Sequence, residues 1–172
     1  MNWRKITELR KPRSRQPSLS EKQPPELIFF VDRPMANAKM VDVMRRVGYV
    51  LELHSDHFRD DEDDDVWIRV ASEKGWIILT ADKRVEKDHL ECILASTARV
   101  ILLIDNNSGW AYWTGALVAA RERLLAKIGV ETAPFTIRLA KDGSITQTRR
   151  KADLETARSQ QIARSKRSRG HA

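Results

Sequence analysis

The sequence predicts an α/β fold with a parallel sheet. Three observations lead to this prediction. Short apolar runs recur along the middle of the chain, segments with apolar residues at helical spacing separate them, and glycines close two of these helical segments. Strands that alternate with helices form parallel sheets through right-handed crossovers.

Six segments are predicted as strands. Three of the first four are continuous apolar runs, which are typical of strands buried on both faces. The last two flank Lys141-Asp142-Gly143, a turn sequence that predicts a hairpin. In chain order the strands are Leu27–Val31, Tyr49–Leu53, Trp76–Leu79, Arg99–Ile104, Phe135–Leu139 and Ser144–Thr148.

Helices are predicted between these strands. In the first, Met40, Val43, Met44 and Val47 recur at helical spacing, and Gly48 follows as a C-cap. In the second, Trp67 is expected to point into the core together with Trp76 of the next strand. The predicted helical segments are Met35–Val47, Asp64–Lys74, Arg84–Ser96 (a helix or helical loop) and Gly109–Ile128, the last capped by Asn107 or Ser108.

The chain divides into a central domain and two basic ends. Residues 1–25 are rich in proline and charge and are interpreted as a flexible basic arm, and 26–148 as the domain. Residues 149–172 are interpreted as a basic tail, with weak helical character over Asp153–Ala163. The net charge of +7 resides in these ends, and the middle is acidic. Basic arms attract phosphate, although solvated tails that bind nothing explain the same charges.

Several classes of protein are excluded by composition. No apolar run approaches the ~20 residues of a membrane helix, and no apolar stretch follows the basic N-terminus as in a signal peptide. One cysteine, Cys92, cannot form an internal disulfide or a thiolate zinc site. Glycine-rich phosphate loops and G-x-S-x-G elbows are missing. We therefore expect a cytoplasmic protein that does not bind a membrane.

Acidic residues follow the predicted strands. Asp32 and Asp105 come directly after two of them, Asp82 and Asp56 come within a few residues of two others, and six acids run over 60–65. The carboxyl ends of parallel strands meet at one edge of a sheet, where ligands bind. Clustered carboxylates favour hard cations, Mg²⁺ or Mn²⁺, which can activate water and hold a phosphodiester. The pattern indicates metal-dependent phosphodiester hydrolysis.

Each of these acids also has a simpler interpretation. Aspartate favours turns and helix N-caps, and the first acids of the 60–65 run suit a solvated loop. His54 and His57 form an H-x-x-H pair without a third ligand at suitable spacing, so both are interpreted as loop histidines. The coincidence of acids at several strand ends is the stronger signal.

Three stretches carry a resemblance to a known family. They are LIFFVDRPM, the segment D-D-x-W-I-x-x-A-x-x-x-G-W-I-I-L-T-x-D-K-R at 64–84, and RVILLID. Together they resemble the PIN domain superfamily, in particular compact PIN-like proteins related to VapC-type toxin ribonucleases. The resemblance covers roughly Leu27–Ile145. It implies a three-layer fold with a central, mainly parallel sheet of four to five strands and a C-terminal β-hairpin.

The resemblance also implies site residues. Asp32, Asp64 and Asp82 match the catalytic, metal-binding acids, Asp65 is a close rival of Asp64, and Asp56 is a further metal ligand. Thr80, Lys83 and Arg84 are expected at the substrate. The expected cofactor is Mg²⁺ or Mn²⁺. Larger PIN nucleases place a glutamate on the first helix, where this chain has only Asp42, which is expected to face solvent.

The function implied is a metal-dependent endoribonuclease, the toxin of a toxin–antitoxin pair. Its expected partners are RNA, an antitoxin protein and a second copy of the chain, with the region Trp110–Trp113 as the protein-binding surface. The alternative is a PIN-like module that binds RNA or protein without cleaving. A receiver-like phosphoacceptor is a third reading, but receivers pair the acid after strand one with another, and Arg33-Pro34 stands there.

Overall fold

The computed structural model describes residues 26–104 and 109–169 and shows a single six-stranded sheet with helices on both faces. Its strands are β1 (Ile28–Val31), β2 (Val50–Leu53), β3 (Ile77–Thr80), β4 (Arg99–Leu103), β5 (Phe135–Leu139) and β6 (Ile145–Arg150). Its helices are α1 (Ala38–Arg46), α2 (Asp64–Glu73), α3 (Val85–Asp88), α4 (Leu90–Ser96), α5 (Gly109–Val130) and α6 (Lys151–Arg169). Two 3-10 turns, Arg33–Met35 and His54–Asp56, follow β1 and β2.

The strands lie in the order β2-β1-β3-β4-β5-β6. The first five run parallel and β6 runs antiparallel to β5. The α/β prediction is therefore confirmed, and so is the hairpin. The hairpin is not an appendage, because β5 pairs with β4 and extends the same sheet to six strands.

Alternating side chains of the strands feed two separate cores. Phe29 and Val31 of β1 pack on the face covered by α1 and α5, whereas Phe30 packs on the face covered by α2, α3, α4 and α6. This is the pleat of a strand whose two faces are both buried. Trp67 and Trp76 both lie in the second core, as predicted.

The turn between β5 and β6 packs closely against α5. Gly143 in this turn has φ +79°, in the left-handed region that favours glycine. A Cβ at this position would lie 3.0 Å from both the carbonyl oxygen of Ala116 and the Cβ of Ala119. Glycine is thus required here by the backbone conformation and by the space.

The C-terminal segment is more ordered than the sequence indicated. The weak helical character over Asp153–Ala163 becomes the 19-residue helix α6, and β6 extends into the segment interpreted as tail. Leu154 is fully buried in the core beneath α6. The Gln161 side chain also donates to the Lys87 carbonyl oxygen at 3.0 Å. One apolar anchor with polar contacts docks this helix.

Some predictions fall on residues outside the described ranges. These are the N-terminal arm of residues 1–25, Asp105 after β4, and the Asn107 or Ser108 cap. Among the residues that are described, no helix has the length and apolar character needed to cross a membrane.

Candidate functional site

Parallel pairing brings the carboxyl ends of β1, β2 and β3 to one edge of the sheet. Asp32 follows β1, the central of these three strands, and its backbone N–H donates to the Leu79 carbonyl of β3 at 3.0 Å. Asp56 and Asp82 follow the two flanking strands. The loop from β2 brings Asp64, the first residue of α2, toward the same edge.

Asp32 is the most enclosed of the predicted acids, with 4% of its surface exposed. One carboxylate oxygen accepts the Arg33 backbone N–H at 2.7 Å, and the other accepts the Thr80 hydroxyl at 2.7 Å. Burial raises the pKa of Asp32, and the nearby Asp64 charge raises it further, against the two hydrogen bonds. A fixed and poorly solvated carboxylate therefore stands at the end of the central strand.

Asp64 stands close to Asp32 and is held by three side chains. Its Oδ1 accepts from the Trp67 indole N–H at 2.8 Å and pairs with the Arg33 guanidinium at 2.9 Å. Its Oδ2 lies 3.3 Å from Nε2 of His89. Position one of a helix also suits a negative charge. Since the Trp67 ring is fully buried, Asp64 is anchored to the core.

Asp82 is joined to Asp32 through Thr80. The Thr80 hydroxyl donates to Asp32 and accepts the Asp82 backbone N–H at 3.0 Å. The Asp82 carboxylate accepts the Arg84 backbone N–H at 2.8 Å, with the Arg84 guanidinium 3.5 Å away. Thr80 therefore orients two of the predicted acids, while Asp82 also closes the turn that precedes α3.

The other two predicted metal ligands, Asp65 and Asp56, stand apart from the Asp32–Asp64 pair. Asp65 points to His89, whose Nδ1 lies 2.7 Å from its Oδ1. Asp56 is exposed at the end of its 3-10 turn, and its side chain makes no hydrogen bond or ion pair with any described residue. Geometry thus favours Asp64 over Asp65 as the companion of Asp32.

Comparison with protein families gives one match: residues 27–106 match the model of a PIN-like domain. This segment holds Asp32, Asp64, Thr80 and Asp82 in the order and on the elements described above. Residues 27–106 are therefore assigned to the PIN domain superfamily. No curated protein and no solved structure matched it.

The fit of this edge to a divalent cation depends on how many ligand side chains converge there. Across residues 26–104 and 109–169, no three His, Cys, Asp or Glu side chains converge to hold a metal ion. Asp32 and Asp64 form a pair whose charges interact. Mg²⁺ keeps several waters and binds through one or two carboxylates together with phosphate oxygens. The pair therefore fits a cation shared with a phosphate ligand, and not a cage made of protein ligands alone.

Two residues of this edge, Arg33 and His89, were not identified from the sequence. Arg33 ties Asp64 to the turn after β1, and its guanidinium also donates to the Asp60 carbonyl. His89, between α3 and α4, contacts both Asp64 and Asp65. The position of Arg33 directly after the strand-end Asp32 could have indicated its role from the sequence. Nothing in the spacing pointed to His89.

The interpretation of His54 as a loop histidine was wrong. The residue begins a 3-10 turn, is fully buried, and packs against the rings of Phe30, Phe58 and Trp67. Burial lowers the pKa of His54, so the ring is neutral at physiological pH. It is a core residue beneath the candidate site. His57 is an exposed residue beside it and pairs with Glu52 at 2.7 Å.

The predicted position of Asp42 agrees with the structure. Its side chain is 56% exposed and pairs with Arg46 at 2.8 Å, one turn along α1. It contributes nothing to the edge that holds Asp32.

Proposed function

We propose that this PIN-like domain is a Mg²⁺- or Mn²⁺-dependent endoribonuclease that hydrolyses phosphodiester bonds of RNA at the edge formed by Asp32, Asp64 and Asp82. The observation that carries the proposal is the Asp32 carboxylate. It is buried beside a second acid, and no cationic side chain of residues 26–104 or 109–169 is hydrogen-bonded to it. Keeping a buried charge in this state costs stability, which points to a role in function.

The chain's own groups would act as follows. Asp32 and Asp64 hold the cation, and Thr80 and Trp67 fix the orientation of these two carboxylates through their hydrogen bonds. A bound cation supplies charge neutralisation of the phosphodiester and a lowered pKa for an attacking water. Thr80 is a positioning residue in this proposal, since its hydroxyl is already engaged with Asp32 and Asp82.

Lys83 and Arg84 supply positive charge directly after Asp82 in the chain. Both side chains are exposed, so they can reach phosphate groups of a strand lying over the edge. Asp82 directly precedes these two cations in the chain and is linked to Asp32 through Thr80. In the proposal it completes the acidic rim and sets the position of Arg84, whose backbone N–H it accepts.

The test is cleavage of a labelled single-stranded RNA by the wild type and by Asp32→Asn, with Mn²⁺, with Mg²⁺ and with EDTA. Removing a metal ligand is expected to slow cleavage by at least about 100-fold, because metal catalysis supplies several kcal/mol. Asp42→Asn makes the same chemical change on the exposed face of α1 and is expected to keep wild-type activity.

Cleavage that survives in EDTA, or that is equal in the wild type and Asp32→Asn, would contradict the assignment. Asp64→Asn and Asp65→Asn then rank the two neighbouring acids. We expect the larger loss of cleavage activity for Asp64→Asn, because Asp64 pairs with Arg33 and lies beside Asp32.

One observation favours a second function, a PIN-like module that binds RNA or protein without cleaving it. The guanidinium of Arg33 already pairs with Asp64, and three convergent ligands are not found among the described residues. An internal cation thus neutralises one of the two acids. RNA binding that persists in EDTA without cleavage under any metal condition would favour this module over the nuclease.

The proposal extends to a toxin restrained by a protein partner. The start of α5 offers a surface, since Tyr112 is 54% exposed and Trp110, two residues earlier on the helix, is half-buried. Expression of the wild type alone should arrest growth of the host, and Asp32→Asn should not. Sedimentation of wild type and Tyr112→Ser tests the accompanying expectation that this surface forms a homodimer.

A further inference from the structure

A second polar site lies between α3, the β5–β6 hairpin and α6. It is a cavity of about 290 Å³. Five cationic side chains line it, with a single carboxylate, that of Glu86. The cations are Lys83, Lys87, Arg138, Arg149 and Arg164.

Glu86 forms the base of this cavity and is 4% exposed. It accepts from the guanidinium of Arg149 and, at 3.4 Å, from that of Arg138. Thr136 donates to its other oxygen at 2.8 Å. The two guanidinium groups are thereby held in place, and each retains further N–H donors for a ligand. The buried Nε of Arg138 has no hydrogen-bond partner within the described ranges.

The other three cations lack a counter-charge. Lys83, Lys87 and Arg164 make no ion pair with any acid in the described part of the chain. One carboxylate therefore stands among five positive groups around a cavity that is open to solvent. Like charges held together in this way repel each other, and an anion bound among them relieves the repulsion.

The far wall of the cavity is α6, and its position is determined by specific contacts. Leu154 is buried in the core, Gln161 donates to the Lys87 carbonyl, and Arg158 pairs with Glu91 of α4 at 3.5 Å. Three of the five cations, those of β5, β6 and α6, come after the segment that matches the PIN-like family model. The cavity is thus an addition that this chain makes to the matched domain.

We propose that this cavity binds a phosphate group of the RNA strand whose cleavage is proposed above, on which this assignment of the ligand rests. Arginine forks and lysine ammonium groups are the usual partners of phosphate oxygens. The cavity adjoins the candidate active site through Lys83, which follows Asp82 directly. A strand lying across the acidic rim can therefore place a neighbouring phosphate here, which fixes its register over Asp32.

Binding is measured by fluorescence anisotropy of a labelled single-stranded RNA in EDTA. The full chain carries Asp32→Asn, so that cleavage plays no part. Arg164→Gln and Lys87→Gln each remove one cation of the cavity that pairs with no acid in the described part of the chain, so neither is expected to disturb folding. The matched control is Lys166→Gln, an exposed cation of α6 outside the cavity.

Each cavity variant is expected to raise Kd about five- to tenfold and to reduce the salt dependence by about one phosphate contact. The control is expected to change Kd less than about twofold. Equal effects of Arg164→Gln and Lys166→Gln would overturn the proposal, since they would show only a general attraction by charge. Melting temperatures equal to that of the Asp32→Asn parent exclude misfolding as the cause.

A second arm separates a polynucleotide from free phosphate. Inorganic phosphate and a nucleoside monophosphate are titrated by calorimetry into the Asp32→Asn parent and into its Arg164→Gln derivative. Phosphate binding that is lost in that derivative while its RNA affinity is unchanged would make free phosphate the ligand and overturn the RNA assignment. If RNA is bound through the cavity but the wild type never cleaves it, only the nuclease proposal fails.

Discussion

Asp32 and Glu86 are both buried carboxylates, each 4% exposed, and each accepts a hydrogen bond from a fully buried strand threonine. They differ in their counter-charges. Glu86 is contacted by the guanidinium groups of Arg138 and Arg149, whereas among the residues that the structure describes no cationic side chain donates to Asp32. The protein itself neutralises Glu86. Under the proposed function, a bound cation would neutralise Asp32.

Neutralising Glu86 and Asp32 in turn should give the largest difference in the free energy of unfolding between the two sites. Glu86→Gln leaves two guanidinium groups without their shared acid and should lower the free energy of unfolding by about 2–3 kcal/mol. This is less than the usual loss for a broken buried ion pair, because both arginines are partly exposed. Asp32→Asn should change it by less than about 1 kcal/mol, since the amide can accept from Arg33 N–H and donate to Thr80. Urea denaturation in EDTA measures both. A larger loss for Asp32→Asn would reverse the comparison.

Removing the two threonine hydroxyls should sharpen the difference. Thr80→Val takes from Asp32 one of its two hydrogen-bond donors and should cost about 2 kcal/mol. Thr136→Val should cost about 1 kcal/mol, because two arginines still donate to Glu86. The same denaturation experiment compares the two variants. Equal losses would mean that the arginines do not compensate for the missing hydroxyl.

A third carboxylate, that of Glu131, should have the smallest effect on the free energy of unfolding, and this effect should depend on pH. Arg150 donates to Glu131 at 2.7 and 3.0 Å, and Lys127 does so at 2.8 Å. These hydrogen bonds, that of Arg150 first, lower the pKa of Glu131 from 4.5 to about 2. Because the folded pKa is the lower one, the stabilisation is complete above about pH 5 and is lost as the pH falls from 4.5 toward 2.

The wild type should therefore be more stable than Glu131→Gln at pH 7, by a margin that shrinks at pH 3. Urea midpoints at pH 7, 5 and 3 measure it. A margin that does not change over this range would show that Glu131 is not held as an ion by its neighbours.

The sheet and the strand-end acids were predictable because both depend on local patterns. Continuous apolar runs such as Leu27–Val31 identify buried strands, and parallel order then brings their carboxyl ends together. The position of Asp32 follows from this reasoning alone. The choice of Asp64 over Asp65 could not be predicted in this way, because it depends on the contact between Arg33 in the 3-10 turn and Asp64 in the first turn of α2.

Residues that act through tertiary contacts were not predictable in this way. His89 reaches Asp64 and Asp65 from a short junction between two helices, at a separation of 24 residues or more along the chain. Helix α6 has little apolar periodicity, since one leucine, Leu154, anchors it in the core while its remaining contacts are mostly polar. Sequence patterns detect apolar faces, and polar docking leaves no such pattern.

The close approach of Gly143 to α5 has a practical consequence for labelling and tagging. Hairpin turns are ordinarily the first choice for inserting an epitope or a fluorophore, because they are exposed and tolerate extra residues. Here the glycine of the turn is buried, and any added Cβ would lie 3.0 Å from the backbone of Ala116 and the side chain of Ala119, closer than van der Waals contact. An inserted tag at this turn would separate the hairpin from the helix behind it. The exposed outer surface of α6, for example at Ser165, is the better attachment point for a dye.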